Sequence, residues 1–206
     1  MPEPASSHLD LTAPTLLIAM PQVLDPSFFK SVVLLLQQDD EGSFGLIVNR
    51  RTDTHLSEIL DELDIEWAGD ESVRAFFGGP VQPQLGSVLF TTGGDGRDPE
   101  RLAGARVCAP GIGLTHHVGD LGSLAQEPPA GLRLFLGYAG WGAGQLVTEI
   151  LRDDWLLAPP DPELIFSADP DRVWERALRS VGVDPAALPS WSTRGSAGGG
   201  GEDQTN

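Results

Sequence analysis

The stretch LGYAGWGAGQL, residues 136–146, combines the residue types and the position of a ligand-binding turn. It follows a predicted strand and precedes a predicted helix, as do the glycine-rich loops that bind phosphate groups. The dinucleotide-binding spacing fails, because Gln145 or Val147 stands where the third glycine belongs. A P-loop requires a lysine after its last glycine, yet no basic residue lies between Arg133 and Arg152. The stretch therefore fits neither nucleotide-binding motif.

Two interpretations of this stretch remain open. In the first, the glycines let the end of the strand and the start of the helix pack closely beneath Tyr138 and Trp141. In the second, free N–H groups at the helix start bind a carboxylate or another small anion. Gln145 can face a ligand or partner, or turn back to cap the loop. We expect Gln145 to make the contact and the glycines to form a frame that a β-branched side chain would disrupt. The frame consists of Gly140, Gly142 and Gly144.

The remaining reactive side chains form no recognisable catalytic or metal site. His116 and His117 are neighbours on a predicted strand and point to opposite faces, so both cannot reach one ion. Cys108 is the only cysteine, which excludes an internal disulfide and a cysteine-pair zinc site. No serine occupies a Gly-x-Ser-x-Gly turn, and the paired carboxylates are typical of a solvated acidic surface. We predict no catalytic residue, no metal ligand and no cofactor.

The net negative charge of the chain argues against nucleic acid as a partner. Its 206 residues carry a formal charge of -17, from 30 acidic and 13 basic residues. Nucleic-acid-binding proteins instead concentrate lysine and arginine, because neutralising phosphates supplies much of their affinity. We therefore do not expect direct binding to nucleic acid. No apolar run reaches the roughly 18 residues that cross a bilayer, and the chain does not begin like a signal peptide. These features predict a soluble, cytoplasmic protein without a membrane partner.

Hydrophobic patterning predicts strands and helices in an irregular order. Strands are predicted at 15–20, 31–38, 43–49, 132–139 and 163–167. Two more are predicted at 73–81 and 85–92 with a Gly-Gly-Pro turn between them, and 105–118 is predicted as one strand or two short ones. Helices are predicted at 56–63 behind Asp53 or Thr54, at 119–126, at 145–156, and from Pro170 to Val181 behind an Asp169 cap. A single helical turn is predicted behind an Asp25 cap, with Pro26 at its first position. Regular alternation of strand and helix is absent, which favours an α+β fold with a mixed or antiparallel sheet. We predict a flexible segment at 1–13, one domain at 14–190 and a disordered glycine-rich tail at 191–206.

Several segments, in order, resemble the YqgE/AlgH family of bacterial proteins. They are residues 16–50, FFGGPVQ, residues 136–156, LIF and RVWERALRSVGVDPAAL, and together they extend over nearly the whole predicted domain. The resemblance implies a single α+β domain whose split β-sheet folds into a pseudo-barrel with flanking helices. Members of this family are often labelled transcriptional regulators, a label that rests on the genetics of exopolysaccharide production rather than on a DNA-binding motif.

The resemblance also implies candidate ligand- or partner-binding residues. Together with Gly142 of the glycine-rich stretch, they are Asp25, Asn49, Gly78, Gly79, Pro80, Tyr138, Gly140, Trp141, Gly144 and Gln145. Relatives commonly carry histidine at the positions of Gln38 and Phe90, so acid–base chemistry that needs those groups is not expected here.

These observations favour a non-enzymatic regulatory or binding protein that recognises a small ligand or a protein partner. The alternative is an anion- or nucleotide-binding protein, or an enzyme, that uses the glycine-rich turn 137–145. A regulator that acts directly on DNA is a second alternative, which the charge opposes. Convergence of the candidate residues on one open concavity would favour a ligand site, and dispersal through the core would indicate a purely structural role.

Overall fold

The computed structural model describes residues 11–94 and 96–189. Residues 1–10 and 190–206, which hold most of the two predicted flexible segments, lie outside the described residues. The strands of the described part are β1 (Thr15–Ala19), β2 (Val32–Asp39), β3 (Gly42–Ile47), β4 (Arg51–His55), β5 (Arg74–Phe77), β6 (Val81–Thr91), β7 (Arg106–Ala109), β8 (Ile112–Thr115), β9 (Leu132–Gly142) and β10 (Trp155–Ala158). The α-helices are α1 (Leu56–Glu62), α2 (Val118–Gln126), α3 (Gln145–Leu151) and α4 (Pro170–Ser180).

The strands form one mixed sheet around β9. Antiparallel neighbours follow the order β10-β1-β2-β3-β9-β6-β8-β7, and β4 joins through β5, which runs parallel to β9. The two ends of β9 serve different halves of the sheet, because its last residues pair with β3 while its earlier residues pair with β5 and β6. The sheet curls as a half-barrel with helices packed against it, which confirms the predicted α+β class.

A bulge in the centre of the sheet sets which face each residue of β9 occupies. Residues 82–85 of β6 have no paired partner and lie opposite Gly137, which adopts φ 69°. A bulge shifts the alternation of side chains between the two faces. Phe135 and Tyr138 consequently reach one hydrophobic cluster, whereas Ala139 and Trp141 reach another.

Three hydrophobic clusters cover both faces of the sheet. Neighbouring residues of β1, such as Leu16 and Leu17, enter two different clusters, because successive strand residues face opposite sides of the sheet. The first cluster packs beneath α4, and the second packs beneath α3. The third lies beneath α1 and α2. Within the described residues, no helix has both the length and the hydropathy needed to cross a bilayer.

Most predicted elements are confirmed, and three predictions are wrong. The predicted helix at 145–156 ends at Leu151, and Trp155 begins β10, which pairs with β1. The predicted strand 163–167 is a single wide helical turn, in which the neighbouring residues Leu164 and Ile165 are both buried. A strand would place such neighbours on opposite faces. The first helix begins after His55 rather than at Asp53 or Thr54, which lie within β4, a strand without a hydrophobic pattern.

Candidate functional site

Four of the predicted site residues line one open concavity of about 430 Å³. They are Asp25, Gly140, Trp141 and Gln145. We call this feature the tryptophan concavity, and its further lining residues are Gln22, Val23, Leu24, Phe28, Glu149, Arg152, Asp154 and Trp155. The concavity lies where the connection between β1 and β2 meets the end of β9, helix α3 and the start of β10.

A capped turn positions the first wall of the concavity. Asp25 Oδ1 accepts a hydrogen bond from Ser27 N at 2.7 Å, and Asp25 O accepts one from Phe28 N at 2.9 Å. Asp before Pro26 is a favourable start for such a turn, as the sequence predicted. The turn places the Phe28 ring centroid 5.9 Å from that of Trp141 and 5.8 Å from that of Trp155. The three aromatic rings thus form one packed wall.

Glu149 joins the two tryptophans from α3. The indole Nε1 atoms of Trp141 and Trp155 both donate to Glu149 Oε2, each at 2.9 Å. Both tryptophans are buried, whereas Glu149 is half-buried. The two rings stand nearly perpendicular, at 82° with centroids 5.8 Å apart, which is a favourable edge-to-face geometry. This arrangement holds the carboxylate in a single position at the concavity.

Gln145 is turned back onto its own loop. Its Oε1 accepts from Gly142 N at 3.1 Å, and its Nε2 donates to Glu149 Oε1 at 2.9 Å. Of the two orientations left open from the sequence, the structure therefore has the local cap. The same side chain fixes the second carboxylate oxygen of Glu149, so Gln145 lines the concavity and also positions its carboxylate.

The charge of the tryptophan concavity is negative. Asp25, Glu149 and Asp154 line it, against the single cation Arg152. Arg152 is already paired, with its Nη2 atom 2.8 Å from Asp154 Oδ2. In the part of the chain that the structure describes, no basic side chain comes within 4.0 Å of Glu149. Only neutral N–H groups stabilise the Glu149 carboxylate, and its charge remains without a counter-ion.

Gly78, Gly79 and Pro80 lie away from the concavity, where β5 crosses close to β9. A Cβ atom on Gly79 would overlap the backbone of Tyr138, and one on Gly78 would overlap the carbonyl oxygen of Gly137. Gly78 also bridges two strands, since its N–H donates to Leu136 O and its carbonyl accepts from Ile47 N, each at 2.8 Å. Gly78 and Gly79 therefore permit a close backbone approach between the two strands.

Asn49 and Tyr138 are likewise not in the tryptophan concavity. Asn49 Oδ1 accepts from Val32 N at 2.8 Å and its Nδ2 donates to Lys30 O at 3.0 Å, which ties β3 to the start of β2. Tyr138 lies on the opposite face of β9 from Trp141 and packs on Phe44 with ring centroids 4.8 Å apart. Asn49 lines a different concavity, described below.

Of the three glycines predicted to form a rigid frame, Gly140 and Gly144 have a structural reason to be glycine and Gly142 does not. Gly140 and Gly142 lie within β9, not at the junction of strand and helix. A Cβ atom on Gly142 would meet only Gln145 Oε1, at 3.9 Å, so the expected clash there is wrong. Gly144 has open space around it but adopts φ 70°, a conformation that glycine reaches without strain. Gly140 is the most crowded of the three, with a Cβ position 3.1 Å from Tyr138 Cε2.

Eight lining residues of the concavity were not predicted as site residues. They are Gln22, Val23, Leu24, Phe28, Glu149, Arg152, Asp154 and Trp155. The spacing of Gln145 and Glu149, four residues apart on a helix, places them on one face and was the available signal. Trp155 was assigned to a helix, which concealed its pairing with Trp141 through Glu149.

An apolar groove and the histidines beside it form a second region with reactive side chains. An apolar groove of about 540 Å³ lies between α1, α2 and the bulge at 82–85, with His116 and His117 at its rim. His116 Nδ1 lies 3.1 Å from Ser87 Oγ, but Ser87 is fully buried and so cannot reach a substrate as a nucleophile. Within the described residues, no three histidine, cysteine, aspartate or glutamate side chains gather as a metal site.

Comparison with known proteins agrees with the fold and extends over nearly the whole described chain. The model of a family described as AlgH-like matches residues 16–186. A UPF0301 protein of Myxococcus xanthus is 41% identical over 178 residues, which cover 85% of this chain and 94% of that protein. A UPF0301 protein of Methylococcus capsulatus is 37% identical over 194 residues, covering 92% of this chain and all of that protein (100%).

Solved structures show the same architecture. The solution structure of the AlgH protein from Pseudomonas aeruginosa matches with a TM-score of 0.67 and 28% identity, over 93% of this chain and 100% of that one. A crystal structure of a Corynebacterium diphtheriae protein matches with a TM-score of 0.66 and 26% identity, over 81% of this chain and 85% of that one. The sequence and structural matches together show that this chain belongs to the AlgH-like family of bacterial proteins, as the resemblance predicted.

Proposed function

We propose that this chain is a non-enzymatic binding protein of the cytoplasm whose recognition site is the tryptophan concavity. The occupant that this site fits is an alkylammonium group, supplied by a small amine or by a lysine side chain of a protein partner. The observation that carries the proposal is the Glu149 carboxylate, which two buried indoles hold in place and which no cation among residues 11–94 and 96–189 neutralises. A ligand cation would provide the missing counter-charge.

The surroundings of Glu149 suit a cation on an apolar stem. Asp25 adds a second carboxylate to the lining, while Val23, Leu24 and Phe28 add apolar surface. Leu24 is 50% exposed, so its side chain is available for contact with an apolar part of a ligand. A primary ammonium group donates three hydrogen bonds, and its methylene groups gain from apolar contact. Both parts of such a ligand therefore have complementary surface in the concavity.

The lining residues favour binding over catalysis. Among the described side chains that line the concavity there is no serine, threonine, cysteine, histidine or lysine that could act as a nucleophile. Glu149 already accepts three hydrogen bonds, which fix its position and leave about one of its four lone-pair sites for a ligand N–H group.

The alternative of an anion cradle at the glycine-rich turn is less well supported. Gly142 N–H already donates to Gln145 Oε1, so the turn does not offer it to a ligand. Three carboxylates line the adjoining concavity, and like charges disfavour an incoming anion. Direct recognition of DNA is opposed by the formal charge of -17.

Calorimetric titration tests the proposal. The probes are n-butylammonium, its neutral analogue 1-butanol, and an acetylated and amidated Gly-Lys-Gly peptide. We expect the two cationic probes to bind and Glu149→Gln to weaken them at least tenfold, because glutamine keeps an acceptor for the indoles but removes the charge. Glu66→Gln is the matched control, since it removes one exposed negative charge outside the concavity.

The relative affinities distinguish the two sources of the cation. Tighter binding of the peptide indicates a protein partner, and equal or tighter binding of n-butylammonium indicates a small amine. If 1-butanol binds as well as n-butylammonium, or if Glu149→Gln and Glu66→Gln behave alike, the proposal is wrong.

A further inference from the structure

The connection between β1 and β2 also borders a second, oppositely charged concavity of about 470 Å³. We call it the basic concavity. One wall consists of Lys30, Asn49, Arg50 and Arg51, and the other is the first half of α4, including Trp174. From this geometry we propose that the basic concavity binds the phosphate group of a small phosphorylated ligand, at a site separate from the tryptophan concavity.

The basic side chains of this corner lack enough acidic partners. In the described residues, Lys30, Arg50 and Arg133 have no carboxylate oxygen within 4.0 Å. Arg51 has one, Asp169 Oδ1 at 3.3 Å. In a chain with 30 acidic residues, unpaired cations in one place are unexpected unless something else supplies the counter-charge.

Arg133 adds a positive charge from the interior. It is 7% exposed and donates to the carbonyl oxygens of Val48 at 3.0 Å and Phe166 at 3.3 Å. Burial lowers the pKa of Arg133 to about 10, and the nearby charge of Arg51 contributes to the same shift. The guanidinium therefore remains protonated at neutral pH, and its charge reinforces that of the basic concavity.

Lys30 is held in place at a conformational cost. It adopts φ 53°, a left-handed conformation that glycine reaches freely and a lysine does not. Its Nζ atom lies 5.1 Å from the Trp174 ring centroid and 5.6 Å from that of Phe29, so both aromatic rings hold the ammonium group by cation–π contacts. Strained residues that persist in a fold gather at binding sites, and here the strained residue is a cation that lines a concavity.

The shape and rim of the basic concavity favour a small phosphate ester over a polyanion. Arg50 Nη2 donates to Phe29 O at 2.7 Å and Arg51 Nη2 pairs with Asp169 Oδ1 at 3.3 Å, so each guanidinium has further N–H donors for phosphate oxygens. Lys30 provides a third, compact charge. Asp171 and Glu175 line the α4 wall, so the cations cover only one side of the concavity, which suits a single phosphate group rather than an extended nucleic-acid backbone. At physiological salt, charges more than about 8 Å away are largely screened, so the local cations outweigh the overall negative charge.

Titration with inorganic phosphate and phenyl phosphate, followed calorimetrically at physiological ionic strength, tests the proposal. We expect both probes to bind, acetate to bind at least tenfold more weakly, and Lys30→Gly or Arg50→Gln to weaken phosphate binding at least tenfold. Lys30→Gly is the sharpest variant, because it relieves the strained backbone and keeps the carbonyl that accepts from Asn49 Nδ2. A loss of binding in a variant that unfolds no earlier than the parent cannot come from a damaged fold.

Arg172→Gln serves as the matched control, since it removes an exposed charge from α4 outside the basic concavity. Unchanged phosphate affinity in Arg172→Gln, with loss in Lys30→Gly, supports the site. The proposal is overturned if neither probe binds at 10 mM (about 3 kcal/mol of affinity), if Lys30→Gly binds like the parent, or if acetate binds as tightly as phosphate. Glu149→Gln leaves this site intact, so the two binding proposals can fail independently.

Discussion

The indole N–H of Trp141 donates to Glu149 Oε2 at 2.9 Å and so joins the end of β9 to helix α3. Because Trp155 Nε1 donates to the same oxygen at 2.9 Å, the carboxylate also connects β10 to this assembly. A buried indole N–H needs an acceptor, and a single carboxylate serves two of them here. The same group therefore holds three elements together and leaves one negative charge at the concavity.

Substitution of Glu149 should separate its structural role from its charge. Glu149→Ala leaves two buried indole donors without an acceptor, and we expect it to lower the free energy of unfolding by about 2 to 4 kcal/mol. Glu149→Gln keeps an acceptor and should cost less than about 1 kcal/mol. Urea unfolding followed by circular dichroism measures both values. Equal losses in the two variants would show that the charge, not the acceptor, stabilises the assembly.

Gly79 and Gly142 should differ sharply in their tolerance of alanine. At Gly79 an added Cβ overlaps the backbone of Tyr138, so Gly79→Ala should destabilise the protein by more than about 3 kcal/mol or prevent folding. At Gly142 the added Cβ meets only Gln145 Oε1, at 3.9 Å, and Gly142→Ala should change stability by less than about 1 kcal/mol. Soluble yield and thermal unfolding compare the pair. A severe effect at Gly142 would contradict the described path of β9.

Asp120 should make the fold sensitive to acid. Although its burial acts to raise the pKa, hydrogen bonds from Thr115 Oγ1, Gly104 N and Ala103 N outweigh it and hold the pKa below the ordinary 3.8. The carboxylate therefore stabilises the fold above about pH 4, and this contribution is lost as the pH falls through the lowered pKa. Asp120→Asn should cost about 2 to 4 kcal/mol at pH 7.

Unfolding curves of the parent and Asp120→Asn between pH 7 and pH 2.5 measure this contribution. The difference in stability between the two proteins should shrink as the pH falls. A difference that stays constant down to pH 2.5 would mean that the Asp120 charge does not stabilise the fold.

Cys108 should be unreactive in the native protein. It is 9% exposed, its Sγ donates to Ile112 O at 3.4 Å, and burial raises the pKa of the thiol to about 11, against a smaller opposite effect of Arg106. At pH 8 only about one thiol in a thousand is then ionised. Iodoacetamide should modify Cys108 at least tenfold more slowly in the native protein than in 6 M guanidinium. Equal rates would indicate an exposed thiol and contradict the packing of β7 against β8.

The hydrophobic patterns were sufficient for the elements that bury one clear face. The β2–β3 hairpin and α4, with its Asp169 cap and the apolar residues Val173, Trp174 and Ala177, lie where the sequence predicted. Asp25 was correctly predicted as a cap, because capping is a local property of the chain.

The errors arose where distant contacts override local preference. Glycine-rich residues 140–142 continue as strand because β3 supplies hydrogen-bonding partners, which no local pattern reveals. Trp155 is a strand residue because β1 pairs with it. The role of Glu149 depends on two tryptophans 8 residues before it and 6 residues after it, and neither spacing corresponds to a known motif. Gly78 and Gly79 lie outside the concavity because β5 packs against β9, and this contact between distant parts of the chain could not be predicted from local sequence.

The indole N–H signals of an ¹⁵N-labelled sample test the central claim most directly, because the chain has five tryptophans and two of them border the proposed site. During titration with n-butylammonium, we expect the Trp141 and Trp155 signals to shift with a common saturation curve, while those of Trp67 and Trp174 stay unchanged. Glu149→Gln should abolish the saturable shift. Shifts confined to Trp174, or no shift at Trp141 and Trp155 at millimolar ligand, would contradict recognition of a cation in the tryptophan concavity.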